Sequence, residues 1–339
     1  MRDLNISVLG DGGWGTTLAI LLNNKGYKVT LWSAFEDYAI YLNKKRVNSK
    51  FLPAVKIPRN IEITHDLAQA VKYKELIVLA IPSQHLRRVL KKIRDHDYKS
   101  CPRFLSVVKG IETKTLKRMS EVIHEELGRI KLAVLSGPTI AHEVARGIPT
   151  TAVAASYDRA TMKSIQNIFM TERFRVYTNS DVIGVELGGS FKNVIAIACG
   201  ISDGLGFGSN TKSALLARGI VEISRLGHVM GARLQTFSGI SGLGDLATTC
   251  MSPYSRNRFV GEQIGKGRVL REITKRMQMP ACRQAGVAEG VPTAKSAYAL
   301  SLKHKVSMPI TKEVYSVLYK NKSPLKAVRD LMTREGKAE

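Results

Sequence analysis

Short apolar runs and helix-spaced apolar positions alternate through the first half of the chain. Residues 6–9 form an apolar run that ends at Gly10. Over residues 16–24 the apolar positions Leu18, Ala19, Leu21 and Leu22 recur at helical spacing, and Gly26 is placed to close that helix. Residues 27–32 are rich in β-formers and predict a second strand, and residues 76–81, 104–108, 132–135 and 151–155 predict further strands. Several of these runs are continuously apolar, as parallel strands covered by helices on both faces are. Near Gly188 the strand signals stop; residues 193–200, 213–227, 256–265, 294–302 and 310–319 predict helices. The pattern predicts an α/β protein, a Rossmann-type doubly wound sheet followed by an all-helical C-terminal domain, divided as residues 1–188 and 189–339. A chain of 339 residues has the length for two domains.

Composition removes several function classes. With 44% hydrophobic and 24% charged residues the chain is of ordinary globular type. No apolar run reaches the ~18 residues of a membrane span, residues 193–200 being among the longest. The N-terminus lacks the basic-then-apolar pattern of a signal peptide. Cys101, Cys199, Cys250 and Cys282 are far apart and show no paired spacing for zinc or redox work. A reducing cytoplasm is therefore the expected home, and the seven histidines show no metal-ligand spacing. Lys and Arg number 52 against 28 acids, a formal net charge of +24, and such a field attracts polyanions. The charge is spread along the chain, however. Clusters such as Lys44-Lys45-Arg46 and Arg87-Arg88 lack aromatic interleaving, so no specific nucleic-acid partner is expected. A basic surface that steers phosphorylated metabolites accounts for the same charge.

Gly10-Asp11-Gly12-Gly13-Trp14-Gly15 follows a strand, opens a helix and lies in a βαβ unit, the context in which G-x-G-x-x-G binds a nicotinamide dinucleotide. Gly10 permits the tight turn, Gly12 lets the backbone approach a pyrophosphate, and Gly15 allows close helix–strand packing. An NAD site usually places an acid at the end of the second strand, and an NADP site often has an arginine nearby. Here that stretch reads Trp32-Ser33-Ala34-Phe35-Glu36. No basic residue stands where a 2′-phosphate would be gripped, and Glu36 is the available acid, so the sequence leans to NAD.

Three later segments are too polar and glycine-rich for plain core. Lys109 ends the strand-like Val107-Val108, Lys192 follows Gly188-Gly189-Ser190-Phe191 at the entry of an apolar helix, and Gly242-Leu243-Gly244-Asp245 precedes Ser255-Arg256-Asn257-Arg258. With the glycine turn, these segments resemble the bacterial NAD(P)-dependent glycerol-3-phosphate dehydrogenases, almost end to end. The resemblance covers SGPT at residues 136–139 with Ala141, and FRVY at 174–177. It continues through GVELGGSFKNVIAIACGISDGLGFG at 184–208, GLGDL at 242–246, SRNR at 255–258 and AEGVPTAK at 288–295.

The resemblance implies reversible hydride transfer between NAD(P)H and dihydroxyacetone phosphate, yielding glycerol 3-phosphate for phospholipid synthesis, and a homodimer. It makes Lys192 the candidate general acid/base, whose pKa burial and a second cation should lower. Lys109 is the candidate for that cation while polarising the carbonyl, and Asp245 for orienting Lys192 or binding a substrate hydroxyl. Arg256 and Asn257 suit a phosphate, the first as a planar charged fork and the second as an amide donor. Substrate contacts are further implied at Gly137, Thr139 and Ser255. Cofactor contacts are implied at Gly10, Gly12, Gly13, Trp14, Gly15, Lys109, Ala141, Arg256, Val287 and Glu289. Three features depart from the family pattern: Gly13 replaces the usual Ser, Ala34 stands where many members carry Arg or His, and Met251-Ser252-Pro253-Tyr254 is an atypical approach to SRNR. Two other readings compete, a dehydrogenase of another phosphorylated or hydroxy-acid substrate, and a non-catalytic basic nucleotide- or nucleic-acid-binding protein. Asp245 and SRNR also allow simpler roles, as a helix N-cap and a capped basic helix start.

Overall fold

The computed structural model describes residues 4–96, 98, 103–279, 282 and 284–336. Cys101 lies outside the described residues.

The first half builds an eight-stranded sheet from β1 (Asn5–Leu9), β2 (Lys28–Trp32), β3 (Glu62–Thr64), β4 (Leu76–Leu79), β5 (Phe104–Ser106), β6 (Leu132–Ser136), β7 (Thr150–Ala155) and β8 (Phe174–Asn179). Their spatial order is β8-β7-β6-β5-β4-β1-β2-β3, a doubly wound arrangement that reverses direction beside β1. Strands of the middle are apolar on both faces because both faces are covered. In β4, Leu76 and Val78 pack into one core layer while Ile77 and Leu79 pack into the other. This explains why their runs do not alternate.

Two parts of the sheet differ from the sequence expectation. Pairing is parallel except between β6 and β7, which run antiparallel with Leu135 opposite Ala154. Strand β8 then pairs in parallel with β7. As the edge strand, β8 alternates buried Phe174 and Val176 with exposed Arg175 and Tyr177, so it lacks the continuous apolar run used to find the others.

The second half is helical. Its centre is α2 (Val182–Gly204), a 23-residue helix against which α3 (Asp245–Met251), α4 (Arg256–Gly265) and α5 (Gly290–Lys303) pack. By length and mean composition α2 could cross a membrane, although it contains no unbroken apolar run of that length, and 94% of its apolar window is buried inside the protein. It is the core of the helical layer. Gly188 and Gly189, read as the domain division, lie inside this helix. They serve close packing: a Cβ on Gly188 would stand 2.7 Å from the Ser241 carbonyl oxygen, and one on Gly189 would stand 2.4 Å from Ser136 Oγ. Helix α2 is tied to the sheet layer by buried Glu186, which accepts from Arg118 Nη1 at 2.5 Å and from the Ser120 amide at 2.7 Å.

Helices α2 and α4 run parallel in unusually close contact. Gly200 and Gly204 on one helix interlock with Gly261 and Gly265 on the other. A Cβ on Gly200 would lie 2.0 Å from the Arg258 carbonyl oxygen, and one on Gly261 would lie 2.1 Å from that of Ile197. Small residues at four-residue spacing allow backbones to approach this way. The contact also fixes the relative placement of two candidate site residues, because α2 carries Lys192 and α4 begins at Arg256.

Candidate active site

The glycine turn forms the junction between β1 and α1 (Gly13–Asn24). Gly10 has φ 121°, and a Cβ there would meet the Ala80 carbonyl oxygen at 2.5 Å; one on Gly15 would lie 1.9 Å from the Gly10 oxygen. Both positions therefore demand glycine. The Cβ position of Gly12, in contrast, faces open space. Helix α1 starts at Gly13 with Gly12 as its N-cap and no side-chain cap, so its first amides remain available to an anion. The indole Nε1 of Trp14 is buried without a hydrogen-bond partner. These features fit a dinucleotide pyrophosphate held by the turn. Gly13, the departure from the family's Ser, has a local reason: a Cβ would stand 2.6 Å from the Phe51 carbonyl oxygen. Ala141 lies against the same turn, its carbonyl accepting from Thr17 Oγ1 at 3.2 Å.

Beyond the carboxyl ends of β5 and β6, where open sheets bind ligands, Lys109 and Gly137 face α2. Asp245 joins this side to the helices. Its Oδ2 accepts from Lys109 Nζ at 2.8 Å and its Oδ1 from Lys192 Nζ at 2.6 Å. The Asp245 side chain is only 1% exposed and that of Lys192 7%, against 18% for Lys109. One carboxylate thus bridges two ammonium groups, leaving a net positive charge in a largely dry site. Lys109 also donates to the Gly137 carbonyl at 2.8 Å and to Thr139 Oγ1 at 3.2 Å, which occupies all three of its donors. Lys192 donates to Asp245 and to Thr249 Oγ1, occupying two. Burial foremost, with the Lys192 charge adding to it and Asp245 opposing, pushes the Lys109 pKa down to about 8.

Asp245 opens α3 at its first residue and makes no cap; the N-cap reading of this residue does not describe its carboxylate, which the two lysines occupy. Ser255, on the other hand, does cap α4, its Oγ accepting from the Arg258 amide at 3.2 Å. Arg256 follows it, half-buried, with its guanidinium beside Gly286, where a Cβ would lie 2.6 Å from Nη1. Burial lowers the Arg256 pKa and the charge of Glu289 raises it. Glu289 itself accepts from the Ser83 amide at 2.9 Å and from Ser83 Oγ. Burial raises its pKa, while the Ser83 bonds and Arg256 oppose. Asn257 is committed to the framework: its Nδ2 donates to Asn193 Oδ1 at 2.9 Å, and its Oδ1 accepts from the Gly290 amide at 2.9 Å. Asn193 in turn reaches the Lys109 carbonyl at 3.4 Å. Val287 is exposed nearby in sequence to Glu289.

Lys109, Gly137, Thr139, Lys192 and Asp245 therefore meet in one hydrogen-bonded cluster, and the charges of Arg256 and Glu289 act on each other beside it. Glu36 goes elsewhere, its carboxylate 3.7 Å from His65 and 67% exposed. Sequence reasoning overlooked Thr249, Ser83 and Asn193. Thr249 had a usable signal, since it stands four residues after Asp245 on the same helix face.

The family model for the N-terminus of NAD-dependent glycerol-3-phosphate dehydrogenase matches residues 5–162, and that for its C-terminus matches residues 181–329. The chain belongs to this family. It is 50% identical over 336 residues to the glycerol-3-phosphate dehydrogenase, NAD(P)+ type, of Thermoanaerobacter sp. (strain X514), covering 99% of each chain. The crystal structure of glycerol-3-phosphate dehydrogenase from Coxiella burnetii superposes with a TM-score of 0.92 at 37% identity, covering 98% of this chain and 99% of that one. The enzyme from Saccharomyces cerevisiae superposes at 0.79 with 29% identity, over 98% of this chain and 100% of the yeast chain. Family membership rests on both halves, so the bridged lysines and the glycine turn lie in segments that match together.

Proposed function

We propose that this chain interconverts glycerol 3-phosphate and dihydroxyacetone phosphate with an NAD(P) cofactor, and that the Lys109–Asp245–Lys192 bridge is its reacting centre. The bridge is the observation that carries the reading: it places two cations and one fixed carboxylate beyond the sheet's carboxyl edge. When bound, the nicotinamide supplies hydride to the ketone carbon or accepts it back. Lys192 uses its third N–H to hold the substrate oxygen and give it a proton as negative charge develops there. Asp245 keeps that ammonium aimed, and Thr249 restricts it from the other side. Lys109 keeps the site positive and orients the loop at Gly137 and Thr139. Arg256, at the start of α4, takes the phosphate, with Ser255 and Asn257 holding the helix end that presents it. Product of this reaction would serve phospholipid synthesis, in a reducing cytoplasm that suits the free thiols of Cys199, Cys250 and Cys282. A homodimer is part of the same proposal.

An NADH-oxidation assay tests this reading. Dihydroxyacetone phosphate should be reduced and unphosphorylated dihydroxyacetone should not. Arg256→Ala should lower kcat/KM for the phosphate substrate by roughly 10- to 100-fold, the loss of a hydrogen bond to a charged group. Equal turnover of both ketones would remove the phosphate role.

The lowered Lys109 pKa gives a second test. Above pH about 8 the ammonium loses its charge, so kcat/KM should fall as pH rises through that value. The inflection should vanish in Lys109→Met, whatever activity remains. Stability should move oppositely: between about 8 and the ordinary lysine value of 10.5 the unfolded chain holds a proton that the folded one has released, so this group's contribution rises with pH. Denaturant unfolding at pH 8 and pH 10, on wild type and Lys109→Met, separates the two effects.

A further inference from the structure

The position that usually carries a ribose-binding acid is occupied by Ser33, directly after β2 (Lys28–Trp32). A serine there leaves the choice between the two nicotinamide dinucleotides unexplained. The structure brings an acid to the place from the turn that follows β1. Asp11, the second residue of the glycine turn, accepts a hydrogen bond from Ser33 Oγ at 2.6 Å through Oδ2. Its backbone is held independently: the Asp11 carbonyl accepts from Asn48 Nδ2 at 2.7 Å and from Thr16 Oγ1 at 3.2 Å. Tyr38 donates to Asn48 Oδ1 at 2.8 Å, which keeps that amide in place. The carboxylate therefore stands at the end of β2 without belonging to it.

We propose that Asp11, steadied by Ser33, is the specificity-determining carboxylate of the cofactor site, favouring the ribose hydroxyls of NAD and excluding the 2′-phosphate of NADP. The proposal rests on the reading of the glycine turn as the dinucleotide site. Its chemistry is that of the usual strand-end acid: a carboxylate accepts from two vicinal hydroxyls and repels a phosphate in the same place. Glu36, the other acid of this stretch, is turned toward His65 and solvent. Burial pushes the Asp11 carboxyl above its ordinary value, opposed by the Ser33 hydrogen bond and by the charge of Lys50. With the carboxylate neutralised, that cation remains to attract a 2′-phosphate, so loss of the acid should convert exclusion into acceptance.

Binding to the unliganded protein tests this without turnover. Dissociation constants for NADH and NADPH are measured by titration calorimetry on wild type, Asp11→Asn, Ser33→Ala and Glu36→Gln. Wild type should bind NADH more tightly than NADPH, by on the order of 10- to 100-fold for a like-charge clash. Asp11→Asn keeps the shape and removes the charge; it should weaken NADH, strengthen NADPH and bring the ratio near one. Ser33→Ala should retain the preference with somewhat weaker NADH binding, and Glu36→Gln should match wild type. Thermal melts of each variant establish that it is folded. A wild-type preference for NADPH, or an Asp11→Asn protein with the wild-type ratio, overturns the proposal. Failure of wild type to bind either nucleotide overturns instead the dinucleotide reading on which it rests.

Discussion

Lys192→Ala is expected to lower kcat for dihydroxyacetone phosphate reduction by about 10²- to 10⁴-fold, the range for a positioned acid/base. Of the two bridged lysines, the variant removes the one whose ammonium is fixed by two partners and left with a donor to spare. Cofactor binding should survive, because the glycine turn and Asp11 do not touch Lys192, so an unchanged NADH dissociation constant shows that chemistry was lost and binding was not. Asp245→Asn should reach a similar loss by another route: it frees both lysines from their shared anchor. The double variant should be little worse than either single one, since residues acting as a unit are not additive. Normal turnover by a folded Lys192→Ala protein would remove the bridge from the mechanism.

Gly261→Ala is expected to be among the most damaging small substitutions in the helical layer. Its Cβ would meet the Ile197 oxygen at 2.1 Å, the Ile201 nitrogen at 2.8 Å and the Ile197 carbon at 2.9 Å. All three are backbone atoms, so no side chain can swing away and α4 must move off α2. Overpacking of a relaxed core costs about 1–3 kcal/mol, and a clash confined to backbone belongs at or above the top of that range. The expected result is a clear fall in the unfolding midpoint, with kcat/KM reduced as well because α4 carries Arg256. Gly336→Ala is the control. A Cβ there faces open space in an exposed stretch outside any helix, and the replacement should change stability by no more than about 0.5 kcal/mol. Equal midpoints for the two variants would mean that the helices tolerate separation.

Much of the first domain was legible in the chain because its strands are buried on both faces. Burial on both faces leaves a continuous apolar run, which needs no partner to be recognised. The βαβ opening, the glycine turn and Lys109 at a strand end followed from that pattern. Strand β8 escaped because an edge strand keeps one polar face, and the antiparallel pairing of β7 escaped because apolar composition does not encode direction. In the second domain, the long helix α2 was read only in its last apolar part. Its first turns contain Glu186, Gly188, Gly189 and Lys192, which look like a polar glycine-rich loop until their packing partners are present.

The sequence by itself determined the class of chemistry. A glycine turn after a strand, a lysine at a strand end and the motifs shared with one dehydrogenase family are local patterns, readable from neighbours along the chain. Tertiary structure decided which side chains work together, because such contacts join residues far apart in sequence. Asp245 reaches Lys109 across 136 positions, and Asp11 reaches Ser33 from one strand end to another. It also decided what the glycines are for. Gly15 is set by the turn's own backbone, whereas Gly10, Gly188, Gly200 and Gly261 are required by segments that approach only in the folded protein.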